Sequence, residues 1–74
     1  MHIRKVSIGS DYKSGAMHYV HGNYISKSSS DTIDTIQIME DGSVKIWIRT
    51  RHGIVLWKEF TKNMPYSIEY NIEL

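Results

Sequence analysis

Three short runs in the middle of this chain of 74 residues alternate apolar with polar side chains: Ile36 and Ile38; Val44, Ile46 and Ile48; Ile54 and Leu56. Period-two alternation sends neighbouring residues to opposite faces of a sheet, so the runs read as consecutive β-strands. Turn residues at Asp41-Gly42 and His52-Gly53 separate them. No helix-period stripe competes with this pattern, and no internal repeat is visible.

Loop length sets the register of each hairpin, and a slip of one residue moves every side chain to the other face. A two-residue Asp41-Gly42 loop would place Ile36 and Ile38 on the wrong side of the sheet. A three-residue loop, Glu40-Asp41-Gly42 with Gly42 left-handed, pairs Ile38 with Val44 and Ile36 with Ile46, and unites the isoleucines. The same choice at Arg51-His52-Gly53 pairs Thr50 with Ile54, Arg49 with Val55, Ile48 with Leu56 and Trp47 with Trp57. One face then carries Ile36, Ile38, Val44, Ile46, Ile48, Ile54 and Leu56. The other carries Lys45, Trp47, Arg49, Arg51, Val55 and Trp57. A small domain needs one apolar face for its core, so the other becomes a candidate binding surface.

The rest of the chain also reads as strand and turn. Ile3 to Ile8 forms a first strand, and Gly9 to Gly15 a loop. Ala16 to Ser26 reads as a second strand with a fault, because Val20 and Ile25 have opposite parity. A bulge at Gly22 realigns them; a tight turn at His21-Gly22-Asn23 is the alternative, and the bulge is preferred. Lys27-Ser28-Ser29-Ser30-Asp31 is a solvated linker without the Gly-Lys-Ser/Thr ending of a phosphate-binding loop. Thr61 to Pro65 is a connection. The last strand places Tyr66, Ile68, Tyr70, Ile72 and Leu74 on one face and Ser67, Glu69, Asn71 and Glu73 on the other. Such an apolar strand needs a partner, either the first strand or a neighbouring subunit. The expected fold is one all-β domain over 1–74, a five- or six-stranded antiparallel meander forming a small barrel or a strongly curled sheet.

A domain of this length has a small core, and without cysteine it has no disulfide or thiolate metal site to support it. Self-association is the remaining common route to stability. No long apolar run or signal-peptide segment is present, so a soluble, cytoplasmic protein with no membrane partner is expected. The net charge of +1 is too small to imply nucleic acid.

Lys45, Trp47, Arg49, Arg51 and Trp57 are the candidate binding residues. Tryptophan and arginine dominate protein-interface hot spots. The same set resembles in chemistry a stacking platform for single-stranded nucleic acid. The ordinary use of such residues is cross-strand packing under basic stems. His18 and His21 lie three apart on a strand and His2 and His52 lie at the terminus and in a turn, so no metal site is expected. The carboxylates scatter over loops and a wet strand face, and the serines lack a nucleophile motif. His18, Tyr19 and His21 would need to converge to do acid–base work. No catalytic residue and no cofactor is therefore assigned. The expected function is a non-enzymatic protein-interaction module that self-associates. Richness in Ile, Ser, Lys, Asn and Tyr, a bias of AT-rich genomes such as those of many phages, fits an inhibitor of a host protein. Single-stranded nucleic-acid binding through the tryptophan face is the alternative.

Overall fold

The computed structural model describes residues 2–9, 17–63 and 65–71. Strand β1 covers His2–Ile8, β2 Met17–Val20, β3 Thr32–Ile38, β4 Val44–Thr50, β5 Gly53–Phe60 and β6 Tyr66–Asn71. They form two three-stranded antiparallel sheets. Sheet A has the order β2-β1-β6 and sheet B the order β3-β4-β5.

The alternation that generates these strands also generates the core. Val6, Ile8 and Tyr19 from sheet A pack against Ile33, Ile36, Val44, Ile46 and Ile48 from sheet B. Val6 and Ile46 are fully enclosed. Burying one such side chain contributes about 1.5–3 kcal/mol. The isoleucine face of β3 and β4 is thus the core face. Tyr66 and Ile68 of β6 close the core from the side of sheet A.

The first hairpin has the expected register: Ile38 pairs with Val44 and Ile36 with Ile46. Gly42 takes a φ of 92°, a conformation that a Cβ would strain. Its N–H donates to Met39 O at 2.9 Å, and Met39 N–H donates to Ser43 O at 2.8 Å. Asp41 Oδ1 accepts from the Ser43 backbone at 2.9 Å and from its hydroxyl at 2.7 Å, which locks the loop.

The second hairpin departs from expectation. Thr50 pairs with Gly53, Arg49 with Ile54, Ile48 with Val55 and Trp47 with Leu56, so Arg51-His52 is a two-residue loop. Thr50 supplies the reason. Its hydroxyl accepts from His52 N–H at 3.1 Å and donates to Gly53 O at 2.8 Å, closing the shorter turn with side-chain bonds. Further along, the register shifts between Ile46 and Trp47, and Ile46 pairs with Lys58. Trp57 is the extra residue of this bulge.

The fault at Gly22 is a turn and not the preferred bulge. Strand β2 ends at Val20, and Asn23 N–H donates back to Val20 O at 3.1 Å across Gly22, whose φ is 88°. The turn carries the chain from sheet A to sheet B. Gly22 N–H donates to Ile33 O at 2.8 Å, Ile33 N–H donates to Asn23 O at 2.9 Å, and Tyr24 bridges Thr32. The serine loop closes this short pairing, and Ser29 Oγ accepts from Asp31 N–H at 3.0 Å.

Strand β6 pairs with β1, one of the two partners expected for it. The result is a pair of separate three-stranded sheets and neither a closed barrel nor one continuous meander. They join at the Gly22 corner, while β5 and β6 form no pair among the described residues. The Pro65 carbonyl accepts from Gly9 N–H at 2.8 Å, which commits the start of β6 to the end of β1. The expected positions of Ile72, Glu73 and Leu74, and most of the Gly9–Gly15 loop, lie outside the described residues.

Candidate interaction face of sheet B

Strand β4 presents Val44, Ile46 and Ile48 to the core, so Lys45, Trp47 and Arg49 stand on the outer face. Pairing adds Thr35 and Gln37 from β3 and Ile54, Leu56 and Glu59 from β5 to that face. Trp47 is central, and its Nε1–H donates to Gln37 Oε1 at 3.1 Å. Leu56 lies directly across from it.

The five candidate residues are divided. Lys45, Trp47 and Arg49 share the outer face, as expected. Arg51 lies in the turn, where its Nε contacts His52 Nε2 at 3.2 Å. Trp57 is not on that face and does not pair with Trp47. The bulge turns it towards the core side, where its ring meets Tyr19 edge-on at 5.8 Å and packs on the core. Lys58 Nζ stands 4.8 Å from the centre of the same ring. Phe60 packs on Tyr19 from the same strand, with 5.8 Å between ring centres. Ile54 and Leu56 move the other way, off the core face and onto the outer one, and Val55 takes the core side opposite Ile48.

Neither hydrophobe gained by the outer face is covered. Ile54 is 48% exposed and Leu56 42%, and Val55 between them is 46% exposed. Three consecutive exposed apolar residues on one strand require exposure on both faces of the sheet. Sequence reasoning missed Ile54 and Leu56 as surface residues, because it assigned them to the core by the longer loop.

The cations of this face are already matched with anions. Arg49 Nη2 lies 2.8 Å from Asp34 Oδ1, and Lys45 Nζ lies 3.9 Å from Glu59 Oε2. Asp34 is the extra residue of a bulge opposite β4, which brings its carboxylate to Arg49. The Thr35 hydroxyl, donating at 2.7 Å, and then Arg49 hold the Asp34 carboxyl below the usual carboxylate range. The face is therefore an apolar centre of Trp47, Leu56 and Ile54 with ion pairs at its margin.

The groups considered for catalysis do not meet. His18 Nδ1 lies 2.7 Å from Ser7 Oγ on an exposed part of sheet A. Tyr19 is buried in the core, and desolvation raises the pKa of its phenol. His21 lies in the corner turn, with its ring 5.3 Å from that of His2. A cleft of about 240 Å³ is lined by His2, Ile3, His21, Asp34, Thr35 and Ile36. Among the described residues no group of three His, Cys, Asp or Glu side chains is placed to hold a metal ion. No helix of the described residues is long and apolar enough to cross a membrane. No protein-family model matches the chain, and neither a curated protein nor a solved structure matches it significantly.

Proposed function

We propose that this chain is a non-enzymatic protein-interaction module that docks through the outer face of sheet B. One observation carries the reading: Trp47 stands beside exposed Leu56 and Ile54, while the neighbouring cations are matched by carboxylates. An aromatic anchor among aliphatic side chains with a charged rim is the composition of a protein-binding patch. A partner of matching chemistry offers an apolar centre and a rim of both signs.

The nucleic-acid alternative loses support from the same geometry. Carboxylates beside the cations lower the positive potential that draws phosphate, and base stacking along a strand uses more than one aromatic on a common surface. Trp57 is turned to the core side, and Asp34 and Glu59 occupy Arg49 and Lys45.

A photo-crosslinking residue at Gln37, exposed beside Trp47, tests the proposal in cells. A discrete protein adduct at Gln37 is expected. It should disappear with Trp47→Ala and be absent when the crosslinker is placed at Ser67 on sheet A. Adducts that ignore Trp47, or none at all, refute the face. Oligonucleotides at low salt should leave the tryptophan fluorescence unchanged; salt-sensitive quenching would restore the alternative.

A further inference from the structure

We infer that a second copy of this chain pairs with the free edge of β5, antiparallel about a two-fold axis at Val55, to make one six-stranded sheet. The inference rests on the outer-face reading, because it supplies the partner that joins two such faces into one platform.

The free edges of the two sheets differ. Strand β2 is only four residues long, β6 begins after Pro65 and carries Glu69, and β3 is bridged by Tyr24 at Thr32 and carries a bulge at Asp34. Short length, proline, charge and bulges are the usual devices that keep an edge from pairing. Strand β5 has none of them from Ile54 to Leu56, ahead of its bulge at Trp57, and there it presents Ile54, Val55 and Leu56 to solvent. Among the described residues its one neighbour is β4.

The backbone selects the register. Hydrogen-bonded and non-hydrogen-bonded pairs alternate along an antiparallel ladder. Thr50 and Gly53 close the two-residue loop as a hydrogen-bonded pair, and Ile48 with Val55 is the next such pair. Ile54 and Leu56 therefore turn their N–H and C=O groups away from β4. A two-fold at Val55 sets Ile54 against Leu56 of the second copy, and Leu56 against its Ile54. Each pair then exchanges both backbone bonds, and Val55 meets Val55 at the axis.

Side chains agree with that register. Trp47 lies beside Leu56, and Ile54 beside Arg49. The joined sheet carries an unbroken row from Trp47 through Leu56 to Ile54 and Arg49 of the second copy, and the symmetric row beside it. At the axis Val55 faces its own copy, and in the single chain it is 46% exposed. Val55 lies outside the core cluster, so a charge can be placed there without emptying the interior.

Sedimentation velocity across a concentration series tests the inference on the full chain. The wild type is expected to dimerise with rising concentration. Leu56→Pro removes an N–H that faces the free edge and spares the β4 ladder, so it should be monomeric with an unchanged β spectrum. Val55→Lys and Val55→Glu alone should each weaken dimerisation by about fivefold at low salt, since each sets two like charges against each other at the axis. An equimolar mixture of the two single variants should recover it as a heterodimer. A wild type that stays monomeric overturns the inference. So does a dimer indifferent to Leu56→Pro, or one whose charge variants fail to rescue each other; the charge variants decide if the proline variant does not fold. Gln37 is two strands away from the β5 edge, so its crosslinks report the outer-face partner separately. A monomer that still gives the Trp47-dependent adduct refutes the β5 dimer alone. A dimer without that adduct refutes the outer-face reading.

Discussion

Replacing each tryptophan by alanine should have different consequences, because the bulge in β5 sends them to opposite faces. Trp57 packs on the core, meets Tyr19 edge-on at 5.8 Å and lies under Lys58. Removing a fully buried tryptophan costs about 3–5 kcal/mol. Trp57 is half-buried, so its share of that loss is about 2 kcal/mol. Loss of the aromatic pair adds about 0.5–1.5 kcal/mol. Trp57→Ala is therefore expected to destabilise the fold by about 3 kcal/mol. Trp47 loses an exposed hydrogen bond to Gln37 and a cross-strand contact with Leu56. Those contribute about 1 kcal/mol together. Urea unfolding followed by far-ultraviolet circular dichroism measures both variants without relying on tryptophan emission. With a slope of about 1 kcal/mol per molar urea for a chain this small, the two midpoints should differ by about 2 M. Equal shifts, or a larger shift for Trp47→Ala, would refute the assignment of Trp57 to the core side.

Other consequences are open to direct measurement. Ile46→Ala empties a fully enclosed site between the sheets and should cost about 3–4 kcal/mol, enough to leave a domain of this size largely unfolded by circular dichroism at 37 °C. Gly42→Ala should cost about 1 kcal/mol for conformational reasons alone, because φ is 92° while the nearest atom to a new Cβ, Lys62 Cβ, is an ordinary 3.7 Å away; unchanged thermal stability would refute that account of the turn. Stability should fall in acid. Asp41 is held low by the Ser43 hydroxyl and backbone, Glu69 by Arg4, and Asp34 by the Thr35 hydroxyl and then Arg49. Each carboxyl titrates lower in the folded chain than in the unfolded one. Its stabilisation is therefore complete above the unfolded value of about 4 and is lost as pH falls through the folded value. Urea midpoints between neutrality and about pH 2.5 should decline over that window, and Asp41→Asn should flatten the decline.

Much of the architecture follows from alternation alone. The strands of sheet B and the register of the first hairpin follow from the spacing of Ile36, Ile38, Val44, Ile46 and Ile48, whereas packing against Val6, Ile8 and Tyr19 decides which face of β4 is the core. That register is strongly specified, because a slip of one residue would expose every one of them. Strand β5 contains no such instruction. Ile54 and Leu56 are apolar on one parity, and Val55 and Trp57 on the other, so both registers look acceptable locally. The Thr50 hydroxyl and the packing of Trp57 on Tyr19, a residue of the other sheet, select between them. The same limit applies at Gly22, where parity reveals a fault in the strand. Only the hydrogen bonds to Ile33 show that the fault is a corner between two sheets. The sequence by itself determined an all-β chain with the isoleucines of β3 and β4 on one face and Lys45, Trp47 and Arg49 on the other. Tertiary structure decided that the isoleucine face is the core, that Trp57 leaves the opposite face and that Ile54 and Leu56 join it. Contacts between sheets act on residues far apart in the chain, and periodicity within one strand carries no record of them.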